Sequence, residues 1–365
     1  MECEYGLKLL HITATHLNEK GGIPVVLDNL VSAQNGITGL TAKVLAVKKG
    51  VNQLANQFFY YIHELKEIEK FIIYYNPDVV VIHSVYYKEY YSISKILRKH
   101  KIKYLIEPHS AFCKAAQQKS YMKKYIANNT ILRDFIKKAH GYIYLNNAER
   151  EKSVFDTIND IIVPNGIILD TKHIIAEQVA KDNSIFKLYF IGRFDLVAKG
   201  LYVLFDAIDI LDKKRSNITI DFFGSGNSVE EQYIDNRISK LKNIKVHKMG
   251  AIYGEEKVER LSKYHAMILT SKYEGFPMTV LEALSYGKPC IVTEGTNVVD
   301  LVSENKLGIA TTDDPEDIAN SILRFKEEYF KCPKSYEDRC REMIAEQYNW
   351  SNIAQQSYDA LMKIL

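Results

Sequence analysis

Short runs of β-branched and aromatic residues alternate with longer segments of helical apolar spacing along the whole chain. That alternation is the signature of parallel strands covered by crossover helices, an α/β architecture. Strands are predicted near Lys8–Ile12, Lys43–Val47, Asp78–His83, Tyr104–Glu107, Tyr142–Leu145 and Ile161–Val163. A second series is predicted near Phe186–Ile191, Ile218–Phe223, Ile244–His247, Ala266–Thr270 and Cys290–Thr293. Between the two series lies Val163-Pro-Asn-Gly-Ile167, where Pro164 resists helix and Asn165-Gly166 favours a turn. The expected organisation is two Rossmann-like domains, 1–165 and 166–348, with a terminal helical segment, 349–365, joining the first. The chain has 365 residues, and single cores stop growing near about 250–300, so length agrees with two domains. The last helix is predicted over Asn352–Leu365, with Ser351 as cap, Gln355 or Gln356 near the capping-partner position, and Trp350 as an aromatic anchor.

Apolar residues make up 47% and charged residues 25%, and no apolar run approaches the roughly 18–20 residues of a membrane span. The opening Met-Glu-Cys-Glu-Tyr carries acid where a secretory signal needs base, so a cytoplasmic location is expected. Cys3, Cys113, Cys290, Cys332 and Cys340 are scattered without C-x-x-C spacing, which indicates neither a disulfide framework nor a zinc site. A net charge of +3 does not imply a nucleic-acid partner. Within 114–138, however, Lys114, Lys119, Lys123, Lys124, Arg133, Lys137 and Lys138 interleave with Tyr121, Met122, Tyr125, Ile126 and Phe135, with Phe112 just before them. That pattern suits a peripheral contact with the inner face of an anionic membrane or a phosphate-bearing acceptor, and equally a solvated helix face.

The segment richest in chemistry runs from Ser271 to Pro289. It leaves an apolar strand, turns through Gly275 and Pro277, and becomes a helix from about Met278 to Tyr286, with Gly287 and Pro289 as stop signals. A strand, loop and helix N-terminus at the carboxyl edge of a parallel sheet favours a diphosphate, which makes Gly275, Phe276, Pro277, Met278 and Thr279 donor-binding candidates. Glu274 and Glu282, eight residues apart, are suited as carboxylates to sugar hydroxyls, Glu274 for a donor sugar and Glu282 for a ribose. Taken alone they also fit a solvated loop acid and a complement to the helix dipole.

This segment resembles the E-x7-E signature of family 4 glycosyltransferases, which have the GT-B fold. Glu274-Gly-Phe-Pro, Leu281-Glu-Ala and Gly287-Lys-Pro289 carry the resemblance. Ile191-Gly-Arg-Phe194 with Lys199-Gly200, Phe223-Gly-Ser-Gly226, Gly250 before a helix and Trp350 before the last helix extend it. It is specific in 186–293 and looser upstream. The resemblance implies two Rossmann-like domains with parallel sheets facing across a cleft, and Arg193 and Lys199 as the basic pair that clamps a donor diphosphate. Two fixed cations there would stabilise the charge that builds on the leaving phosphate. No Asp-x-Asp at a strand end suggests a bound Mg²⁺, so metal independence is expected. Gly224 sits in the loop near the donor, and Ala251, Ile252 and Tyr253 occupy the place where the family holds the base. Gly21-Gly22-Ile23-Pro24 resembles the family's Gly-Gly loop, with Pro24 in place of the usual acid. Glu107-Pro-His-Ser110 ends the fourth strand, and the resemblance gives His109 a role facing the donor sugar, although Ser110 departs from the commoner residues. His83 and Ser84 are a lesser pair near the same place.

The resemblance implies a retaining transferase, hexosyl or N-acetylhexosaminyl, that uses a nucleotide-sugar donor, a UDP-sugar by preference. The acceptor is expected to be a glycan or lipid-linked glycan in cell-surface polysaccharide assembly, with no cofactor. Two other readings remain open at this point, a nucleotide-sugar 2-epimerase and an inactive transferase-like partner subunit.

Overall fold

The computed structural model describes residues 6–15, 22–48, 56–169 and 185–365. The predicted loop residue Gly21 and Cys3 lie outside the described residues. The chain divides into two compact units, Met1–Ile168 with Tyr348–Leu365, and Leu169–Gln347.

The first unit runs β1 (Leu7–Thr13), α1 (Gly22–Gln34), β2 (Leu40–Ala46), β3 (Phe59–Tyr61), α2 (Leu65–Tyr75), β4 (Val79–His83), α3 (Glu89–Lys99) and β5 (Lys103–Glu107). It continues through α4 (Lys114–Gln118), α5 (Tyr121–Asn129), α6 (Arg133–Lys137), β6 (Gly141–Tyr144), α7 (Asn147–Glu151) and β7 (Ile161–Ile162). Its seven strands lie in the order β3-β2-β1-β4-β5-β6-β7, each pair parallel. All five residues of β4 are buried, as expected of a strand covered on both faces. The short edge strand β3 escaped the sequence pattern because three residues carry too little periodicity to register.

The second unit runs β8 (Phe186–Ile191), α8 (Leu201–Lys213), β9 (Ile218–Phe223), α9 (Ser228–Ile238), β10 (Lys245–Gly250), α10 (Gly254–Ser262) and β11 (Ala266–Leu269). It ends with α11 (Met278–Ser285), β12 (Cys290–Thr293), α12 (Val299–Glu304), β13 (Gly308–Thr311), α13 (Pro315–Lys331) and α14 (Pro333–Gln347). The six parallel strands lie in the order β10-β9-β8-β11-β12-β13. From β8 the chain winds outward through β9 and β10, then returns to the other side of β8 as β11. The switch point is therefore between β8 and β11, and ligands of open α/β sheets bind outside the carboxyl ends of such a strand pair.

The terminal helix α15 (Trp350–Ile364) packs against α1 within the first unit. Asn349, not Ser351, caps it, its side chain accepting the Asn352 N–H at 2.9 Å. The helix starts earlier than expected because Trp350 belongs to its buried stripe and sits against Gly166, where a Cβ would come within 2.8 Å of the indole.

Candidate active site

Two loops meet at the β8/β11 switch point. After β8 the chain passes Arg193 and tightens around Asp195, whose Oδ1 accepts Ala198 N–H at 2.8 Å and whose carbonyl accepts Lys199 N–H at 2.9 Å. Gly200 then precedes α8 with φ +62°, the left-handed region, and a Cβ there would run into the Thr270 carbonyl at the end of β11. That close approach ties the loops together, with Thr270 Oγ1 donating to Lys199 O at 3.1 Å and Lys272 N–H to Ala198 O at 2.9 Å.

Across this seam Lys199 Nζ lies 2.5 Å from Glu274 Oε1, both side chains about four-fifths buried (20% and 18% exposed). Ser271 Oγ donates to the same carboxylate oxygen at 2.7 Å. The Glu274 backbone is pinned too, its N–H donating to Gly295 O at 2.9 Å and its carbonyl accepting from Asn297 Nδ2 at 2.6 Å. Arg193 is not part of this cluster: its side chain is 72% exposed and pairs with Asp195 at 3.1 Å.

Beyond the loop, α11 begins after Pro277 with no side-chain cap, and Phe276 and Pro277 are buried while Met278 and Thr279 are half-buried. Glu282, one turn into α11, is held by Lys257 of α10 at 2.6 Å. Lys257 carried no sequence signal, because its partner lies in a different helix. Gly192 N–H donates to Phe223 O at 3.0 Å and Gly224 N–H to Gly250 O at 2.9 Å, so the loops after β8, β9 and β10 form one continuous edge. Next along it come Ala251, exposed, Ile252, buried, and Tyr253, 60% exposed at the start of α10.

In the first unit the strand-end residues His83 and Glu107 pair directly in register. The chain then turns with His109 at φ +48° and Ser110 at φ +65°, and Ser84 at φ +72° follows β4. Non-glycine residues rarely occupy that region, and each costs about 1–2 kcal/mol. Buried Glu149 secures the turn, accepting Ser110 N–H at 2.5 Å and Leu145 N–H at 2.7 Å. His109 Nε2 stands 3.3 Å from His83 Nδ1 and 3.4 Å from Glu107 Oε1, and Glu107 Oε2 is 3.2 Å from His83 Nδ1. Behind them His83 Nε2 meets His11 Nδ1 at 2.8 Å, and His11 Nε2 meets Gln34 Oε1 at 2.9 Å. Burial pushes His11 and His109 down to about 4, and Glu107 up to about 8 with help from the Glu149 charge. Sequence reasoning found His109 and His83 but missed the roles of His11 and Glu107, which strand pairing brings beside them, and of Gln34 and Glu149, which reach the cluster from helices α1 and α7. Gly22 opens α1 and is exposed.

Residues 171–349 match the sequence model of the family described as "Glycosyl transferases group 1". The chain is 27% identical over 158 residues to lipopolysaccharide 1,6-galactosyltransferase of Escherichia coli (strain K12), an alignment covering 40% of this chain and 44% of that protein. The matched part thus spans less than half of that relative's length. The structure superposes on the apo form of the lipopolysaccharide outer core galactosyltransferase WaaB with a TM-score of 0.73 at 17% identity, covering 98% of this chain and 100% of that one. It superposes on Anabaena HepE in complex with UDP with a TM-score of 0.72 at 15% identity, covering 98% and 100%. The fold is that of GT-B glycosyltransferases, two Rossmann-like domains with parallel sheets.

Proposed function

We propose that the chain is a retaining, family 4 glycosyltransferase that moves a sugar from a nucleotide diphosphate donor to a glycan or lipid-linked glycan in cell-surface polysaccharide assembly. The observation that carries this reading is the Lys199–Glu274 bridge across the β8/β11 switch point, beside the uncapped start of α11. A cation, a carboxylate and a helix N-terminus at that one edge suit a sugar diphosphate: ammonium and helix dipole for the phosphates, carboxylate for the sugar hydroxyls. Glu274 and Glu282 form the E-x7-E pair of this reading, with Glu282 oriented by Lys257 toward a ribose. Arg193, exposed and paired with neighbouring Asp195, swings to the diphosphate when donor arrives. Gly224 and 251–253 hold the base edge, and His109 offers an imidazole to sugar hydroxyls. The charge on the leaving phosphate is stabilised by Lys199 and Arg193 without a metal at the diphosphate. The named UDP complex of HepE favours a UDP-sugar as donor.

A thermal-shift screen of UDP, GDP, ADP and their sugar conjugates, with and without Mg²⁺, tests the donor site on wild type and Glu282→Ala. One nucleotide class should raise the melting temperature, and less so in the variant. No response to any of them at millimolar concentration would sink the donor assignment. Conversion of the donor alone, without acceptor, would favour a 2-epimerase, and an inverted linkage in the product would remove the retaining assignment.

Membrane association is part of the same proposal. Neither α4 nor α5 buries any residue, and Tyr121, Met122, Tyr125 and Ile126 are 54–64% exposed on α5 beside Lys119 and Lys123. Lys124 is engaged, its ammonium donating to Ala116 O at 2.5 Å. An amphipathic helix with exposed aromatics and cations suits the interface of an anionic bilayer.

A further inference from the structure

We propose that His83, Glu107 and His109 form a binding site for one divalent transition-metal ion of the zinc class. Among the described residues these three make a group of metal-ligating side chains whose ligand atoms lie within 4.8 Å of one another. His83 Nδ1 and His109 Nε2 are 3.3 Å apart, and Glu107 meets them with different oxygens, Oε2 at 3.2 Å from His83 and Oε1 at 3.4 Å from His109. Ligand atoms placed about 2.0–2.1 Å from a tetrahedral ion stand about 3.3–3.4 Å apart, so the edge between His83 Nδ1 and His109 Nε2 has the length that zinc requires, and Glu107, which touches both rings, supplies the third ligand atom. Two imidazoles and a carboxylate with a fourth position open form an established kind of zinc donor set. His83 is fully buried and Glu107 nearly so, whereas His109 is 14% exposed, which leaves the open position on the solvent side.

The proton inventory behind the triangle points the same way. Gln34 Nε2 donates to Ser357 Oγ at 3.3 Å, so Gln34 Oε1 accepts from His11 Nε2–H. His11 Nδ1 is then an acceptor, and His83 must donate its Nε2–H to it. That leaves a lone pair on His83 Nδ1, aimed at Glu107 and His109. A metal ion among them would satisfy that lone pair, the carboxylate and His109 Nε2 at once; without one, an Nε2–H on His109 or a proton on Glu107 donates to His83 Nδ1. The chain from His83 through His11 and Gln34 to Ser357 is the outer shell that fixes tautomer and ring orientation in metal sites. The left-handed φ values of His109 and Ser110 are a second mark, since strain of this kind persists where surrounding structure holds a functional group in place. His109 uses Nε2 in this site and keeps Nδ1 for the sugar-facing hydrogen bond assigned above, so the two assignments concern different atoms.

The test uses the full-length protein stripped with a chelator, titrated with Zn²⁺ against a chromophoric competitor and, separately, with Co²⁺ under visible absorption. Wild type should take up one ion per chain and give the intense visible bands of four-coordinate Co²⁺. Glu107→Gln and His109→Asn should abolish stoichiometric uptake, and His11→Gln should weaken it by about 10–100-fold. His109 is the most accessible of the three, so its variant carries the test if the buried ones fail to fold. Retained circular dichroism identifies the variants that count. Cys332→Ser, which removes an exposed thiol, should leave uptake unchanged. Wild type that takes up no ion would overturn the proposal and leave a proton as the shared cation. Uptake that persists in Glu107→Gln and His109→Asn, or disappears with Cys332, would overturn it as well. No donor or activity enters the measurement, so it stands or falls apart from the transferase reading.

Discussion

Replacing Lys199 with Met removes the cation of the β8/β11 seam while keeping most of the side chain's apolar length. Two effects follow, and they have different sizes. Glu274 loses an ammonium 2.5 Å away but keeps the Ser271 hydroxyl at 2.7 Å and both backbone anchors. A lost hydrogen bond to a charged group costs about 1.5–3 kcal/mol, which for a unit of this size lowers the melting temperature by about 3–12 °C. If Lys199 also meets charge that develops on a leaving phosphate, kcat falls much further, by about 10²–10³-fold, as when a preorganised oxyanion donor is removed. Steady-state transfer with the donor named by the nucleotide screen, together with thermal denaturation, separates the two. Glu274→Gln serves as the comparison, since it breaks the same ion pair but keeps the lysine. Lys199→Met should lose more kcat than Glu274→Gln does for a similar drop in melting temperature. A Lys199→Met enzyme within threefold of wild-type kcat, with its melting temperature lowered as calculated, would refute the reasoning and leave Lys199 a strut for the Glu274 loop.

Gly200→Ala should destabilise by at least the 1–2 kcal/mol of a left-handed alanine, and further through overlap with the Thr270 carbonyl; an unchanged urea midpoint would show that the seam can relax. Burial pushes the Lys288 ammonium down to about 8, against about 10.4 in an unfolded chain, so the folded state carries the penalty fully below pH 8 and sheds it as pH rises toward 10. Lys288→Met should therefore be more stable relative to wild type at pH 7 than at pH 9.5, by about 2 kcal/mol in urea titrations, and parallel pH profiles would contradict the assignment. Joint replacement of Lys119 and Lys123 by Ala should release the protein from anionic vesicles in a flotation assay, with binding to neutral vesicles unaltered. Equal flotation of variant and wild type would place the bilayer contact elsewhere.

The strands that could be read from sequence are those whose apolar runs are continuous because helices cover both faces. Phe186–Ile191, Ile218–Phe223 and Cys290–Thr293 come out with the bounds expected. β13, Gly308–Thr311, was not foreseen: it is an edge strand, half-buried throughout, and leads into Thr312-Asp-Asp314, so nothing in its composition separates it from loop. The misplaced cap of α15 has a different cause. Asn349 and Ser351 are both good capping residues, and the choice depends on where the buried stripe begins. Trp350, Ile353, Ala354, Ser357 and Leu361 are the buried positions, so the stripe begins at the tryptophan and the cap must precede it.

The candidate site divides along the same line. Ser271 and Glu274 lie within one strand-turn-helix segment, and local chemistry was enough to mark the loop. Glu282 was visible, but its partner Lys257 was not, because the contact depends on α10 and α11 lying side by side. The histidine cluster is the extreme case. His11, His83 and Glu107 are scattered over the first third of the chain, and an isolated histidine at a strand end reads the same whether it is structural or functional. What joins them is register: Thr13 pairs with His83 and His83 with Glu107, so the ends of β1, β4 and β5 are neighbours however far apart in sequence, and His11, two residues before Thr13 on the same face of β1, comes beside His83. Once the strand order β2-β1-β4-β5 is known, a polar residue ending each central strand must share one small volume with the others. A buried cluster of that kind needs internal partners or a bound cation, because water no longer solvates it. Strand order therefore decides whether these histidines are three isolated residues or one site, and a motif confined to a single segment carries no information about it.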